Sequence, residues 1–333
     1  MNAPRVTRRQ ALVSAGTAAI AAASTPALAA ASTGALALAA AGTPPSLATN
    51  ASIAAERDLD LSTPEAQLRA FLKLFVSLEA ATVFYLYHGT LDAAVPGRGI
   101  VPLLASTSIV RRRIEPQRDG WRVSIWEGTA YHRAGENAPA DTFENPLNGR
   151  VVRPFHQREG GNQSLFTANG QFQIRDGQRI APRAGARPFA REWHRAGDRI
   201  WTSRESSGVY TQSPFDPAVW PLEFAGRDLQ YLEKTTNSGF VHELADPARV
   251  CATSTYSLNQ VMLWWPWLLM GTQPGFLIWN TQGVKLPGLE ALAPASRRLI
   301  ERVHPTLLGE AVPWQGYVSL WTEYPKLRTP AKP

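Results

Sequence analysis

Cysteine is nearly absent: Cys251 is the only one in 333 residues. No internal disulfide can form, so stability must come from a packed core. A single thiol also excludes cysteine-ligated iron–sulfur centres and covalent c-type haem. Cys251 itself reads as a small buried hydrophobe before it reads as a nucleophile. There is no G-x-S-x-G elbow, no phosphate loop, no glycine-rich turn following a strand, no H-E-x-x-H helix and no C-x-x-C pair. Rossmann oxidoreductases, P-loop NTPases, zincins and α/β-hydrolases are therefore disfavoured. Charge of one sign is not in large excess either, with 34 basic and 27 acidic residues and a net charge of +7. The scattered excess gives no argument for nucleic acid. Long apolar runs are missing. The longest, Val261 to Met270, has ten residues and contains Pro266, too short to span a bilayer and unable to form a regular helix.

What is present begins with Thr7-Arg8-Arg9-Gln10-Ala11-Leu12, a weakly apolar alanine-rich run, and Ala27-Leu28-Ala29. A basic start, a short apolar stretch and a small-x-small site make a bacterial export signal, and the paired arginines indicate the twin-arginine route. Residues 1–29 are thus expected to be a signal peptide handled by the twin-arginine export machinery, with a periplasmic or secreted destination. Pro26, Pro44 and Pro45 interrupt the stretch, so no transmembrane anchor is expected. Residues 30–57, rich in Ala, Ser, Thr and Pro, read as a flexible tether, and 58–330 as a single domain. Removing Arg5, Arg8 and Arg9 with the leader leaves +4 from +7.

Along the domain, Ser62-Thr63-Pro64-Glu65 starts a helix, with Ser62 as cap and Glu65 completing a capping box. Leu68, Phe71, Leu72 and Phe75 follow at helical spacing. The pattern then alternates. Val83 to His88, Thr107 to Ile114, Trp121 to Tyr131, Arg199 to Arg204 and Asp228 to Lys234 read as strands. Asp119-Gly120, Asn148-Gly149, Asn169-Gly170 and Asp176-Gly177 are turn signals between them. Leu289 to Val303 reads as a second helix. This spacing predicts a mainly β fold, an antiparallel barrel of lipocalin type or a sandwich, with a helix near each end. Arg111-Arg112-Arg113 is explained by a solvated edge strand about as well as by an anion site.

Several segments together resemble an exported bacterial family known only as domain of unknown function 1838. They are the leader, the opening Leu68-Arg69-Ala70-Phe71-Leu72-Lys73-Leu74, and Asn145-Pro146-Leu147-Asn148-Gly149 followed by His156. Trp265-Pro266-Trp267-Leu268-Leu269-Met270-Gly271, Pro274-Gly275 and Gly283-Val284-Lys285-Leu286 complete the set. The resemblance implies no reaction and no catalytic residues.

The densest polar stretch, Tyr131 to Gln163, holds His132, Asp141, Glu144, His156, Arg158, Glu159 and Asn162. A hairpin around Asn148-Gly149 would bring Glu144 near Arg153 and leave His156 close to Asp141, an orienting carboxylate for a base. Whether a metal or other cofactor joins them is not legible. Eleven tryptophans suit a pocket for a flat ligand. Tyr85, Trp126, Arg204, Trp265 and Trp267 are the candidate ligand contacts, with Arg204 able to clamp a carboxylate. Which face of the Tyr85 strand turns inward is left open. Two functions follow: binding of a small apolar or aromatic molecule, or an enzyme without organic cofactor that uses His156 as base.

Overall fold

The computed structural model describes residues 58–175, 177–180, 185–310, 312 and 316–332. The expected leader and tether lie outside the described residues. The chain enters through helix α1 (Pro64–Phe75). Its cap is Thr63, one residue later than the spacing suggests. The Thr63 hydroxyl accepts from the Ala66 amide at 3.1 Å, which leaves Glu65 as a first-turn acid favoured by the helix dipole.

Eleven strands then build one antiparallel sheet. They are β1 (Ala81–Val95), β2 (Gly99–Gln117), β3 (Gly120–His132), β6 (Arg158–Thr167), β7 (Gly170–Arg175) and β8 (Gln178–Ile180). The other wing holds β9 (Trp193–Ala196), β10 (Arg199–Gln212), β11 (Asp228–Phe240), β12 (Thr255–Met262) and β13 (Phe276–Leu286). Their order is β8-β7-β6-β3-β2-β1-β13-β12-β11-β10-β9. Each strand pairs with a neighbour in sequence except where β3 meets β6, skipping two short strands, and where β1 meets β13, which joins the two wings; β8 and β9, consecutive in sequence, are the two edges. The mainly β antiparallel expectation holds. The terminal strands β8 and β9 each pair on one side only, so the hydrogen-bonded ring of a closed barrel is absent among the described residues. The short pair β4 (Phe143–Glu144) and β5 (Val151–Val152) stands apart and flanks the Asn145–Gly149 turn. There Glu144 faces Val151, and the expected approach of Glu144 to Arg153 does not form an ion pair among the described residues.

The strands run longer than their apolar cores suggest. Thr107–Ile114 extends to Gly99–Gln117, because polar positions such as Ser106 and Ser108 are also buried. That strand is central rather than an edge. Arg111 and Arg112 are therefore nearly inaccessible and point to opposite faces, which corrects the solvated-edge reading. Arg111 reaches the carbonyls of Gly309 and Glu310 on the outer face, where α3 (Pro294–Val303) packs Leu299 and Ile300 against Leu86, Ile109 and Trp126. A last helix, α4 (Leu320–Leu327), adds Leu320, Trp321 and Tyr324 to an aromatic cluster at one end of the sheet.

Helix α1 closes the other end, and its C-terminal carbonyls are each met by a side chain from the sheet. Lys285 Nζ donates to Lys73 O at 2.7 Å, Val76 O at 3.0 Å and Ala252 O at 3.0 Å. The Tyr85 hydroxyl donates to Leu74 O at 2.6 Å, and Arg112 Nη1 to Phe75 O at 3.1 Å. These are the groups a helix end leaves without intrahelical partners, and two cations face the negative end of its dipole. Lys73 repeats the device, donating to Leu244 O and Asp246 O at the end of the short helix α2 (Val241–Ala245).

Lys285→Met should strand these carbonyls in a dry interior. The expected cost is about 2–4 kcal/mol, read as a lower urea midpoint with an unchanged slope. A loss below about 0.5 kcal/mol would mean the carbonyls find other donors.

Candidate functional site

Alternation along the strands decides what faces inward. On β1, Tyr85, Tyr87 and Leu91 share one face. Their register partners continue it through Ser108 and Val110 on β2 and Glu127 and Thr129 on β3. In the other wing, Glu233, Thr235 and Asn237 on β11 face the same way as Tyr256, Leu258 and Gln260 on β12 and Trp279 on β13. Side chains from both wings line a single cavity of about 310 Å³, so the sheet curls around it. This is the lower end of the range for small-molecule sites.

The cavity has three zones. Phe71, Phe75 and Phe166 form a floor next to α1. Trp265, Trp279, Leu258, Met262 and Trp321 form an apolar roof. Between them runs a polar band of Glu127, Glu159, Glu233, Gln157, Asn237 and Gln260.

Glu159 reaches this band through a bulge. Ile125 pairs with Asn162 and Glu127 with Glu159, so one residue on β3 opposes Gly160 and Gly161 on β6. Without the extra residue, Glu159 would face outward. Gly161 has φ of +70°, and a Cβ there would collide with the Gly316 carbonyl, so the bulge needs glycine. The bulge places Glu127 and Glu159 side by side on neighbouring strands.

Burial dominates the electrostatics. It pushes the Glu127 carboxyl up to about 7 against the opposing pull of Arg112, and the Glu233 charge adds to the rise. Glu159 is pushed up to about 8 by burial and by the charges of Glu127 and Glu233. Burial also raises Glu233, while Arg204 holds it down in part. The hydrogen bonds in the band are few. Gln260 Nε2 donates to Glu233 Oε2 at 3.2 Å, and Glu127 has only a long contact of 3.5 Å from the Thr129 hydroxyl. Gln157 Oε1, Asn237 Oδ1 and Arg112 Nε are buried without a partner among the described residues. Arg112 spends its other nitrogens on Phe75 O and the Tyr87 hydroxyl, and its guanidinium lies 4.0 Å and 4.2 Å from the centres of the Phe75 and Tyr85 rings.

Of the residues singled out from sequence, Arg204 and Trp265 line this cavity. Tyr85 lies beneath it with its hydroxyl committed to α1, and its neighbour Tyr87 takes the lining position. Trp267 packs against Trp265, ring centres 6.0 Å apart, and does not border the cavity. Trp126 belongs to the outer face against α3. His156 is outside the cavity. Its Nδ1 accepts from the Tyr131 amide at 3.0 Å, its ring also bonds the Ala140 backbone, and burial lowers it to about 4. Asp141 is exposed and pairs with Arg302, so the two do not form a base with its orienting carboxylate. Among the described residues no three His, Cys, Asp or Glu side chains gather closely enough to hold a metal ion. Glu127 and Glu233 were not singled out by sequence reasoning. Each is a lone acid in an alternating strand, and only the curl brings them together. The Gly160-Gly161 pair was the available signal for Glu159.

The carboxyl values fix a stability profile. Glu127 and Glu159 hold protons in the folded chain at pH values where the unfolded chain, with glutamates near 4.3, has lost them. Their contribution is therefore full at low pH and lost as pH rises through about 7 and about 8. His156 and His304, both lowered to about 4 by burial, act oppositely, favouring the fold increasingly as pH rises from about 4 toward the unfolded value near 6.5. Between about pH 6.5 and 8 the carboxyls dominate, with Lys285, lowered to about 8 by burial, beginning to oppose them only at the upper end. Melting temperature should fall across that window, by the equivalent of about 1–2 kcal/mol, and Glu159→Gln should flatten the fall. An unchanged slope in that variant would show that Glu159 is not protonated in the fold.

No curated protein matches the chain. Residues 225–313, which carry β11, α2, β12, β13 and α3, match the family described as Protein of unknown function (DUF1838). It is the family that the chain's motifs resemble, matched here over that segment.

Proposed function

We propose that the chain is an exported binding protein for a small amphipathic molecule, held in the cavity between the two wings of the sheet. The observation that carries this reading is the set of unpartnered buried polar atoms, Gln157 Oε1, Asn237 Oδ1 and Arg112 Nε, on residues lining one enclosed space. Each such atom costs about 1–3 kcal/mol when left dry, and folded proteins rarely tolerate several together without something to satisfy them. A ligand with polar groups at mid-length and an apolar end against Trp265 and Trp279 complements all three zones. The curled sheet then serves as a lipocalin-type barrel would, with helix α1 as its plug. Export rests on the leader sequence alone, with its paired Arg8 and Arg9. No described helix is long and apolar enough to cross a membrane.

One observation favours a second reading, a cofactor-free enzyme. Carboxyls held at about 7 and about 8 stand where general acid–base catalysis works best. In that reading the proton chemistry belongs to Glu127 and Glu159, since both ring nitrogens of His156 are engaged by the backbone.

Native mass spectrometry on the exported, processed protein should show a bound organic molecule of a few hundred daltons or less. Thr235→Phe, which fills the band from β11, should abolish the adduct while retaining cooperative unfolding. An adduct that survives in this folded variant would place the ligand elsewhere. The absence of any adduct, together with no change in tryptophan emission across a small-molecule library, would overturn the binding reading.

A further inference from the structure

We propose that the polar band is a receptor for an organic cation that carries N–H donors, a protonated amine or a guanidinium on an apolar body. The inference deepens the binding reading above and rests on it.

The band is built almost wholly of acceptors. Glu127 and Glu159 lie side by side on β3 and β6, and Glu233 faces them from β11 in the other wing. Gln157 and Asn237 are only 3% and 5% exposed, and each leaves its amide oxygen without a donor. These two oxygens are independent of the carboxylates, and the partner each lacks is a donor; of the unpartnered lining atoms only Arg112 Nε, deeper toward α1, lacks an acceptor. Glu159 takes no hydrogen bond from any other described residue. The protein's own cations do not fill this role. Arg112 is turned toward Phe75 O, the Tyr87 hydroxyl and the aromatic floor. Arg204 is exposed beside Glu233, and Arg191 lies 4.4 Å from the centre of the Phe71 ring.

The spacing of the acceptors selects the kind of cation. They come from five strands or segments around one space, yet no three acidic or imidazole groups among the described residues come close enough for a metal ion. A point charge cannot satisfy them, whereas N–H groups spread over a nitrogen head can. Trp265 and Trp279 adjoin the band, with Gln260 and Trp279 directly opposite in register. They offer an apolar wall and ring faces that favour a cation.

The electrostatics agree. Glu127 is faced by Arg112, Tyr87, Tyr256, Tyr131 and Glu233, and Glu159 by Tyr131, Glu127 and Glu233. Only Arg112 among these is positive, so the pair retains protons near neutrality. A bound cation replaces them, so binding should strengthen as pH rises through about 7 and about 8 and should release protons.

The test uses three probes with one aromatic body: phenethylamine, phenethyl alcohol and hydrocinnamate. Isothermal titration of the processed protein at pH 7 in buffers of different ionisation enthalpy reads both affinity and protons released. The amine should bind at least about tenfold more tightly than the alcohol or the carboxylate, with proton release. Glu159→Gln and Glu127→Gln should each remove most of the amine's preference over the alcohol, provided thermal unfolding stays cooperative. Equal or tighter binding of the alcohol or the carboxylate would overturn the cation inference and leave the cavity reading standing. Failure of all three to bind would count against the cavity reading itself.

Discussion

The end of helix α1 is the constraint on which the rest of the structure depends. A helix whose last carbonyls lie inside a protein must find donors for them, and here side chains of the sheet supply most of them, joined by the Ala252 amide at Lys73 O and the Cys251 thiol at Val76 O. Lys285 comes from β13, Tyr85 from β1 and Arg112 from β2, so three adjacent strands at the junction of the wings are tied to one helix terminus. That tie holds the floor of the cavity in place. It also explains a pair of buried cations with no carboxylate partner. Carbonyl dipoles meet both charges and the faces of Phe75 and Tyr85 meet that of Arg112, while burial lowers Lys285 to about 8 against the opposing pull of Cys251 and Glu243.

Above that floor the sheet encloses something a purely structural core would avoid. Three carboxyls, three amides and an arginine share an interior that apolar side chains of similar size would fill more stably. The arrangement also depends on a specific backbone irregularity. The extra residue at Gly160-Gly161 reverses the parity of β6, and only then does Glu159 turn inward beside Glu127. Bulges of this kind re-aim a side chain at the cost of local pairing. Polar groups left without partners, next to a bulge that directs another polar group at them, are the features on which the proposed ligand site rests.

Much of the fold was legible, because hairpin signals and alternation report local geometry. The strands around Tyr85, Trp121 and Trp201 and the helix at Leu68 all form. What failed was non-local. The arginines at 111–113 read as a solvated edge about as well as an anion site, because charge in a strand usually means solvent, whereas helix α1 and the Gly309–Glu310 segment supply carbonyls that make the burial of Arg111 and Arg112 possible. Trp126 and Tyr85 look equally suited to a pocket, yet strand parity sends Trp126 to the outer face and α1 captures the Tyr85 hydroxyl. His156 and Asp141 are close in sequence to the real band. Each is already taken, His156 by backbone and Asp141 by Arg302. The acids that line the cavity lie on β3, β6 and β11, and nothing short of the sheet order joins residues 127, 159 and 233.

The motifs that resemble the family meet in space, and this bears on what the family match means. Asn145 and Asn148 of the Asn-Pro-Leu-Asn-Gly turn donate to the carbonyls of Leu268 and Leu269 in the tryptophan-rich loop. Leu269 is held there at φ of +55°, a conformation that a branched aliphatic residue rarely adopts unless its surroundings impose it. The clamp fixes the loop that carries Trp265, and so fixes the cavity roof. The matched segment, 225–313, contributes that loop and the β11–β13 wall with Glu233. Glu127, Glu159 and the Asn145–Asn148 clamp lie outside it. The segment therefore supplies the apolar end of the cavity and one acid. The carboxyl pair that would choose the ligand comes from strands beyond the match, so an activity found for the matched segment in another protein would not by itself carry over the chemistry of this site.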